Sequence, residues 1–111
     1  LPGSVLFLAR SGRRTLGFAL ARSVADEAEL LLIAVRPASQ RSGAGKTLVG
    51  KIVSNYASKA IKKIHLEVRT DNPALAFYGR LGFVQSGLRR NYYRRSDGQF
   101  TDAATLSLEI V

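Results

Sequence analysis

The stretch QRSGAGKT, residues 40–47, holds the residue types and spacing most able to do chemistry. It combines two glycines, two cations and small hydroxyl side chains, with no acidic residue. Such a loop suits a phosphate at the start of a helix, where backbone N–H groups and the helix dipole favour an anion. Two readings share that geometry. Gly45-Lys46-Thr47 ends as a nucleotide-binding P-loop does, whereas Gln40-x-x-Gly43-x-Gly45 has the spacing of an acyl-CoA-binding loop.

A P-loop is Gly-x-x-x-x-Gly-Lys-Ser/Thr. Its first glycine falls due at position 40, which is Gln40. A Mg-binding aspartate should also end an apolar strand, but the candidate, Asp71, reads as a loop or cap residue. The acyl-CoA reading explains more. Backbone N–H groups from Arg41 to Lys46 are expected to face into the loop. Gly43 and Gly45 lack a Cβ and let the backbone approach phosphate oxygens, and Arg41 and Lys46 add charge. Taken alone, Gly-x-Gly reads rather as a solvated turn capping an ordinary helix.

The elements that position this loop follow from the pattern of the chain. At 111 residues and 46% hydrophobic, it is long enough for one small domain with a core. Residues 5–10 (VLFLAR) and 15–24 (TLGFALARSV) read as a β-hairpin around a turn at 11–14. The apolar run 29–35 (ELLLIAV) suits a central strand buried on both faces. Helical spacing then takes over through Leu48, Ile52, Tyr56 and Ile61. Lys59, Lys62 and Lys63 are expected near the helix end, where positive charge complements the dipole. Residues 64–70 (IHLEVRT) alternate as a strand, with His65, Glu67 and Arg69 on one face. Asp71-Asn72-Pro73 starts a short helix that Gly82 ends. A closing antiparallel pair follows around Ser96-Asp97-Gly98. The order is β-β-β-α-β-α-β-β, a mixed α/β sheet with a central parallel βαβ unit and antiparallel hairpins at either end.

Composition narrows the function classes. The chain has no cysteine and one histidine, His65. Disulfides, thiolate metal sites and a cysteine nucleophile are therefore excluded, and no metal site is expected. No apolar run approaches the ~18 residues of a membrane span. With no secretory signal in the sequence as given, a cytoplasmic location is the expectation. The formal charge of +9, from 17 basic and 8 acidic residues, predicts attraction to RNA, the ribosome or a polyphosphate cofactor.

Three stretches together, AVRPASQRSGAGKTL at 34–48, LEVRTDN at 66–72 and ALAFYGRLGF at 74–83, resemble the GCN5-related N-acetyltransferase (GNAT) family. Glu67-Val68-Arg69-x-x-Asn72, then Tyr78-x-x-Leu81-Gly82-Phe83, then Arg89-Arg90-Asn91-Tyr92-Tyr93 with Asp97-Gly98, are most similar to its RimI-type branch. That branch acetylates the N-terminal α-amine of a ribosomal protein.

The resemblance implies a GNAT-type fold and acetyl-CoA as co-substrate. Pantetheine would lie against the backbone of Ile33, Ala34 and Val35. The pyrophosphate would lie in the loop of Gln40, Arg41, Ser42, Gly43, Ala44, Gly45 and Lys46. Asn72 would contact the cofactor, and as a residue it also reads as a helix cap. Glu67 would be the general base and Tyr78 the general acid, in contact with the cofactor. That chemistry suits an α-amine, whose pKa of about 7.7–8.0 leaves roughly one in ten neutral at pH ~7, against fewer than about one in a thousand for lysine at about 10.4. As plain structure, Glu67 pairs with Arg69 or a neighbouring basic strand, and Tyr78 packs with Phe77 and Phe83. Asn72 and Tyr78 lie six residues apart, one fewer than the branch pattern. Tyr92 and Tyr93 would line the acceptor; as ordinary strand residues they would point one in and one out.

The resemblance also implies a strand and two helices ahead of the hairpin, so residues 1–111 are expected to be a single, N-terminally incomplete N-acetyltransferase domain. Uncovered apolar sheet surface then makes a homodimer an expectation. The expected acceptor is a protein or peptide N-terminus, ribosomal in the first instance. The alternatives are a small-molecule amine acceptor, or a non-catalytic basic module of the same fold that binds nucleic acid or the ribosome.

Overall fold

A computed structural model describes residues 3–110. Its strands are β1 (Ser4–Ser11), β2 (Arg14–Val24), β3 (Glu27–Val35), β4 (Lys63–Arg69), β5 (Val84–Arg94) and β6 (Phe100–Glu109). The helices are α1 (Ala44–Ala57) and α2 (Ala74–Arg80), with a 3₁₀ turn at Pro37–Ser39. The strands form a mixed, mostly antiparallel six-stranded sheet in the order β1-β2-β3-β4-β6-β5. Among the described residues, no helix is long and apolar enough to cross a membrane. The chain divides into two compact units: the first runs to Ile64 and takes back the end of the chain from Glu109, and the second is His65–Leu108.

In the first unit β1, β2 and β3 form an antiparallel meander, with Phe7 opposite Ala19 and Ala19 opposite Ile33. Helix α1 packs on one face of it. Beside Phe7 and Leu30, that face carries small residues: Ala9, Ala19, Ala21 and Ala28 are at most 2% exposed. Alanine there lets the helix approach closely, and Leu48, Ile52 and Tyr56 fill the space between, none more than 1% exposed. The opposite face carries Leu6, Phe18 and Leu32 with 58%, 36% and 49% exposure. The apolar run of β3 is therefore not buried on both faces, because a register shift between Leu20 and Ala21 turns Leu32 away from α1.

Several boundaries differ from the sequence expectation, two of them by a change of backbone conformation. The β2–β3 turn is tighter, because Ala25 takes a left-handed φ of 55° and β3 starts at Glu27. Helix α1 also stops at Ala57, short of Ile61 and the lysines. There Ala60 turns left-handed (φ 61°) and the Ile61 N–H returns to the Tyr56 carbonyl at 3.1 Å. Lys59 and Lys62 thus lie past the helix and Lys63 opens β4, so none of them sits in its last turn. Ile61 still reaches the core, 5% exposed.

The second unit holds most of β4, then α2 and the β5–β6 hairpin. Leu66, Val68, Tyr78, Phe83 and Leu106 are buried. Tyr78 stands edge-on to Phe77 and Phe83, with ring centroids 5.3 and 5.6 Å apart. The hairpin turns through a left-handed Gly98 (φ 85°), whose N–H donates to the Arg95 carbonyl at 3.0 Å.

Candidate active site

In the first unit the loop after β3 is built from local bonds. The Arg36 N–H donates to the Leu16 carbonyl at 2.8 Å, and its Nε donates to the Thr15 carbonyl at 2.9 Å. The Gln40 Nε2 donates back to the Val35 carbonyl at 3.3 Å. The Ser42 hydroxyl and N–H both donate to the Ser39 carbonyl. The Ser42 amide is thus engaged within the chain and leaves the expected run of loop-facing amides from Arg41 to Lys46.

Arg41 and Gly43 take left-handed φ values of 64° and 89°, which swing the chain into the helix. Gly43 is the N-cap of α1 and gives no side-chain cap, and the first turn holds no acidic residue. The N-terminal amides of α1 therefore have no capping side chain and no carboxylate to neutralise them, while Arg41, Ser42 and Lys46 are exposed. Ala44 packs inward, 5% exposed, and Gly45 is half-buried. That polarity fits a diphosphate.

Ile33, Ala34 and Val35 end β3, each half-buried. Their register, opposite Ala19, Phe18 and Gly17, puts Ile33 and Val35 on the α1 face and Ala34 on the other. A hollow of about 330 Å³ lies between residues 15–18 of β2 and 34–36 at the end of β3. The strands approach closely there: a Cβ on Gly17 would meet the Ala34 carbonyl oxygen at 2.6 Å.

In the second unit Glu67 pairs with Arg89 on β5, Nε to Oε1 at 3.0 Å. It does not pair with Arg69, which makes a two-point contact with Asp71 at 3.0 and 2.9 Å. That hydrogen-bonded guanidinium holds the Asp71 carboxyl below its ordinary value. Two arginines meet tyrosines on this surface, Arg89 with its Cζ 5.1 Å from the Tyr92 ring and Arg69 with its Cζ 6.0 Å from the Tyr93 ring. Tyr92 and Tyr93 themselves meet edge to face. The sequence reading proposed both tyrosines and allowed Glu67 a partner on a basic strand, but it did not name Arg89, which lies 22 residues away in the chain.

The Asn72 Oδ1 accepts the Ala74 N–H at 2.9 Å from one place ahead of the N-cap, and its amide nitrogen is left for other partners. Pro73 is the N-cap of α2. Tyr78 is 6% exposed, and burial pushes its phenol up from the ordinary value. At neutral pH it therefore stays protonated, the form a proton donor needs. His65, on the Glu67 side of β4, is half-buried.

The strand–loop–helix segment with its bare N-terminus belongs to a known class. Residues 2–94 match the acetyltransferase (GNAT) domain family, and the chain belongs to it. It is similar to the [ribosomal protein bS18]-alanine N-acetyltransferase of Haemophilus influenzae, 37% identical over 92 residues, which cover 83% of this chain and 63% of that protein. The chain thus spans less than two thirds of that relative's length. The crystal structure of the ribosomal-protein-S18-alanine N-acetyltransferase from Escherichia coli superposes with a TM-score of 0.88 at 35% identity, over 98% of this chain and 70% of that one. A Bacillus subtilis acetyltransferase in complex with CoA shares the fold, with a TM-score of 0.87 at 19% identity over 100% of this chain and 80% of its own.

Proposed function

We propose that this chain carries the core of an acetyl-CoA-dependent N-acetyltransferase whose acceptor is the N-terminal α-amine of a protein or peptide. The observation that carries it is the N-terminus of α1, entered through a left-handed Gly43, with no capping side chain and no acid in its first turn. The loop from Gln40 to Lys46 would hold the diphosphate, and the ends of Ile33, Ala34 and Val35 would hold the pantetheine arm. Asn72 would contribute its amide nitrogen. When bound, acetyl-CoA supplies an activated acetyl thioester.

Glu67 takes a proton from the acceptor amine, through water that reaches its 27%-exposed side chain. Tyr78 holds its proton for the departing sulfur. No covalent enzyme intermediate is required, in keeping with a chain that lacks cysteine. Tyr92 and Tyr93 would line the acceptor.

The relatives are named for an alanine of ribosomal protein bS18, so a ribosomal acceptor and a cytoplasmic setting go with this reading. So does a second copy of the chain over the exposed Leu6, Phe18 and Leu32 face. The test is transfer to a peptide beginning with alanine, followed by mass spectrometry. One acetyl group should appear on the α-amine, with rates about 10²-fold lower in Glu67→Gln and about 10-fold lower in Tyr78→Phe. A protein that binds acetyl-CoA yet acetylates no peptide α-amine contradicts the proposal.

A further inference from the structure

We infer that Arg89 is a positioning residue that makes Glu67 selective for α-amines over lysine side chains. The inference rests on the acetyltransferase reading above. Four features of the second unit carry it. The Arg89 Nε bonds the Glu67 Oε1 at 3.0 Å. The guanidinium lies over the Tyr92 ring, Cζ to centroid 5.1 Å, which limits where it can swing. Arg89 stands opposite Ala103, whose small side chain leaves room for the arginine to reach Glu67. The strand beyond Arg89 is fixed by the Asn91 N–H, which donates to the Asp102 Oδ1 at 2.8 Å.

A fixed guanidinium beside the base has a chemical consequence. It anchors one carboxylate oxygen and opposes a second cation at the same carboxylate. Around pH ~7, roughly one α-amine in ten is neutral and can approach without a charge, whereas a lysine arrives as an ammonium in all but about one case in a thousand. The repulsion closes the charged route to both amines and leaves the neutral one, which is open to about one α-amine in ten but only about one lysine in a thousand. The other cation on this face of β4, Arg69, is held by Asp71 in a two-point contact and does not take Arg89's place. His65 shares the same face by alternation.

The experiment compares kcat/KM for two peptides in the full chain: one with a free N-terminus and no lysine, the other Nα-blocked with a single lysine. Calorimetry of acetyl-CoA binding runs alongside. Arg89→Gln should narrow the α-over-ε preference about 10-fold with acetyl-CoA affinity within about twofold of wild type, and Arg89→Lys, which keeps the charge but loses the planar stack on Tyr92, should restore it in part. A preference unchanged in Arg89→Gln overturns the inference, as does loss of both activities in parallel, which would mark a merely structural residue. If Arg89→Gln fails to fold, the wild-type preference is read between about 50 and about 500 mM salt, where screening should narrow it; a salt-independent preference overturns the inference. Wild-type protein that binds acetyl-CoA and acetylates neither peptide sinks the acetyltransferase reading itself, and the inference with it.

Discussion

Tyr92 and Tyr93 are adjacent in the chain, yet their rings meet edge to face with centroids 5.1 Å apart and planes at 84°. A regular strand would send them to opposite faces. The difference lies in the register: Arg89 pairs with Ala103 and Tyr93 with Thr101, so residues 90–92 all oppose the single Asp102. Two extra residues keep Arg89 and Tyr93 on one face and release Tyr92 to turn toward Tyr93. Asn91 takes a left-handed φ of 54° within this bulge, and its N–H is held by the Asp102 carboxylate.

Asp102→Ala should therefore loosen β5 without touching the loop at residues 40–46. The lost hydrogen bond predicts a destabilisation of about 1–2 kcal/mol by chemical denaturation. The Tyr92–Tyr93 ring contact should vanish from aromatic NMR spectra. Persistence of that contact would show that the bulge is held by something other than Asp102.

Gly43→Ala tests the entry to α1. The space around its Cα is open, so the penalty is conformational, about 1 kcal/mol for a left-handed φ of 89°. Acetyl-CoA affinity should fall by at least about 10-fold if relaxation of that φ turns the first amides away. Gly17→Ala tests something different, since its Cβ would sit 2.6 Å from a backbone oxygen that cannot swing aside. It should cost about 2–3 kcal/mol by prying β2 from β3 beside the hollow.

Tyr56 is 1% exposed, and its hydroxyl is buried without a hydrogen-bond partner among the described residues. Tyr56→Phe should leave stability unchanged or raise it by up to about 1 kcal/mol. Burial raises the Tyr56 and Tyr78 phenols in the folded state, so the native chain keeps protons that the unfolded chain releases. Their contribution is fully present below the unfolded value of about 10 and is lost as pH rises through the raised folded values. Denaturant midpoints measured from pH ~8 to ~11 should fall at the alkaline end, and less steeply in Tyr56→Phe. An identical alkaline slope in that variant would count against the assignment.

The order of elements and the phase of α1 were legible because Leu48, Ile52 and Tyr56 repeat at helical spacing. The glycine entry to α1 was legible because Gly43 stands where the helical spacing begins. The end of α1 was not, because Ile61 keeps the apolar phase while Ala60, a good helix former, takes a left-handed turn. The Tyr92–Tyr93 contact was hidden for a related reason: alternation assumes an unbroken register, and nothing local marks Asn91 as the bulge. The partner of Glu67 depended on strand order, which places β6 between β4 and β5 and leaves Arg89 to reach across it.

The central claim is that the bare N-terminus of α1 holds the diphosphate of acetyl-CoA. Titration calorimetry of acetyl-CoA into the full chain at about 150 mM salt tests it most directly, with ATP–Mg as the control. The account predicts saturable one-to-one binding of acetyl-CoA, weakened in Gly43→Ala, and no binding of ATP–Mg. A folded chain that binds ATP–Mg, or that does not bind acetyl-CoA, would contradict it.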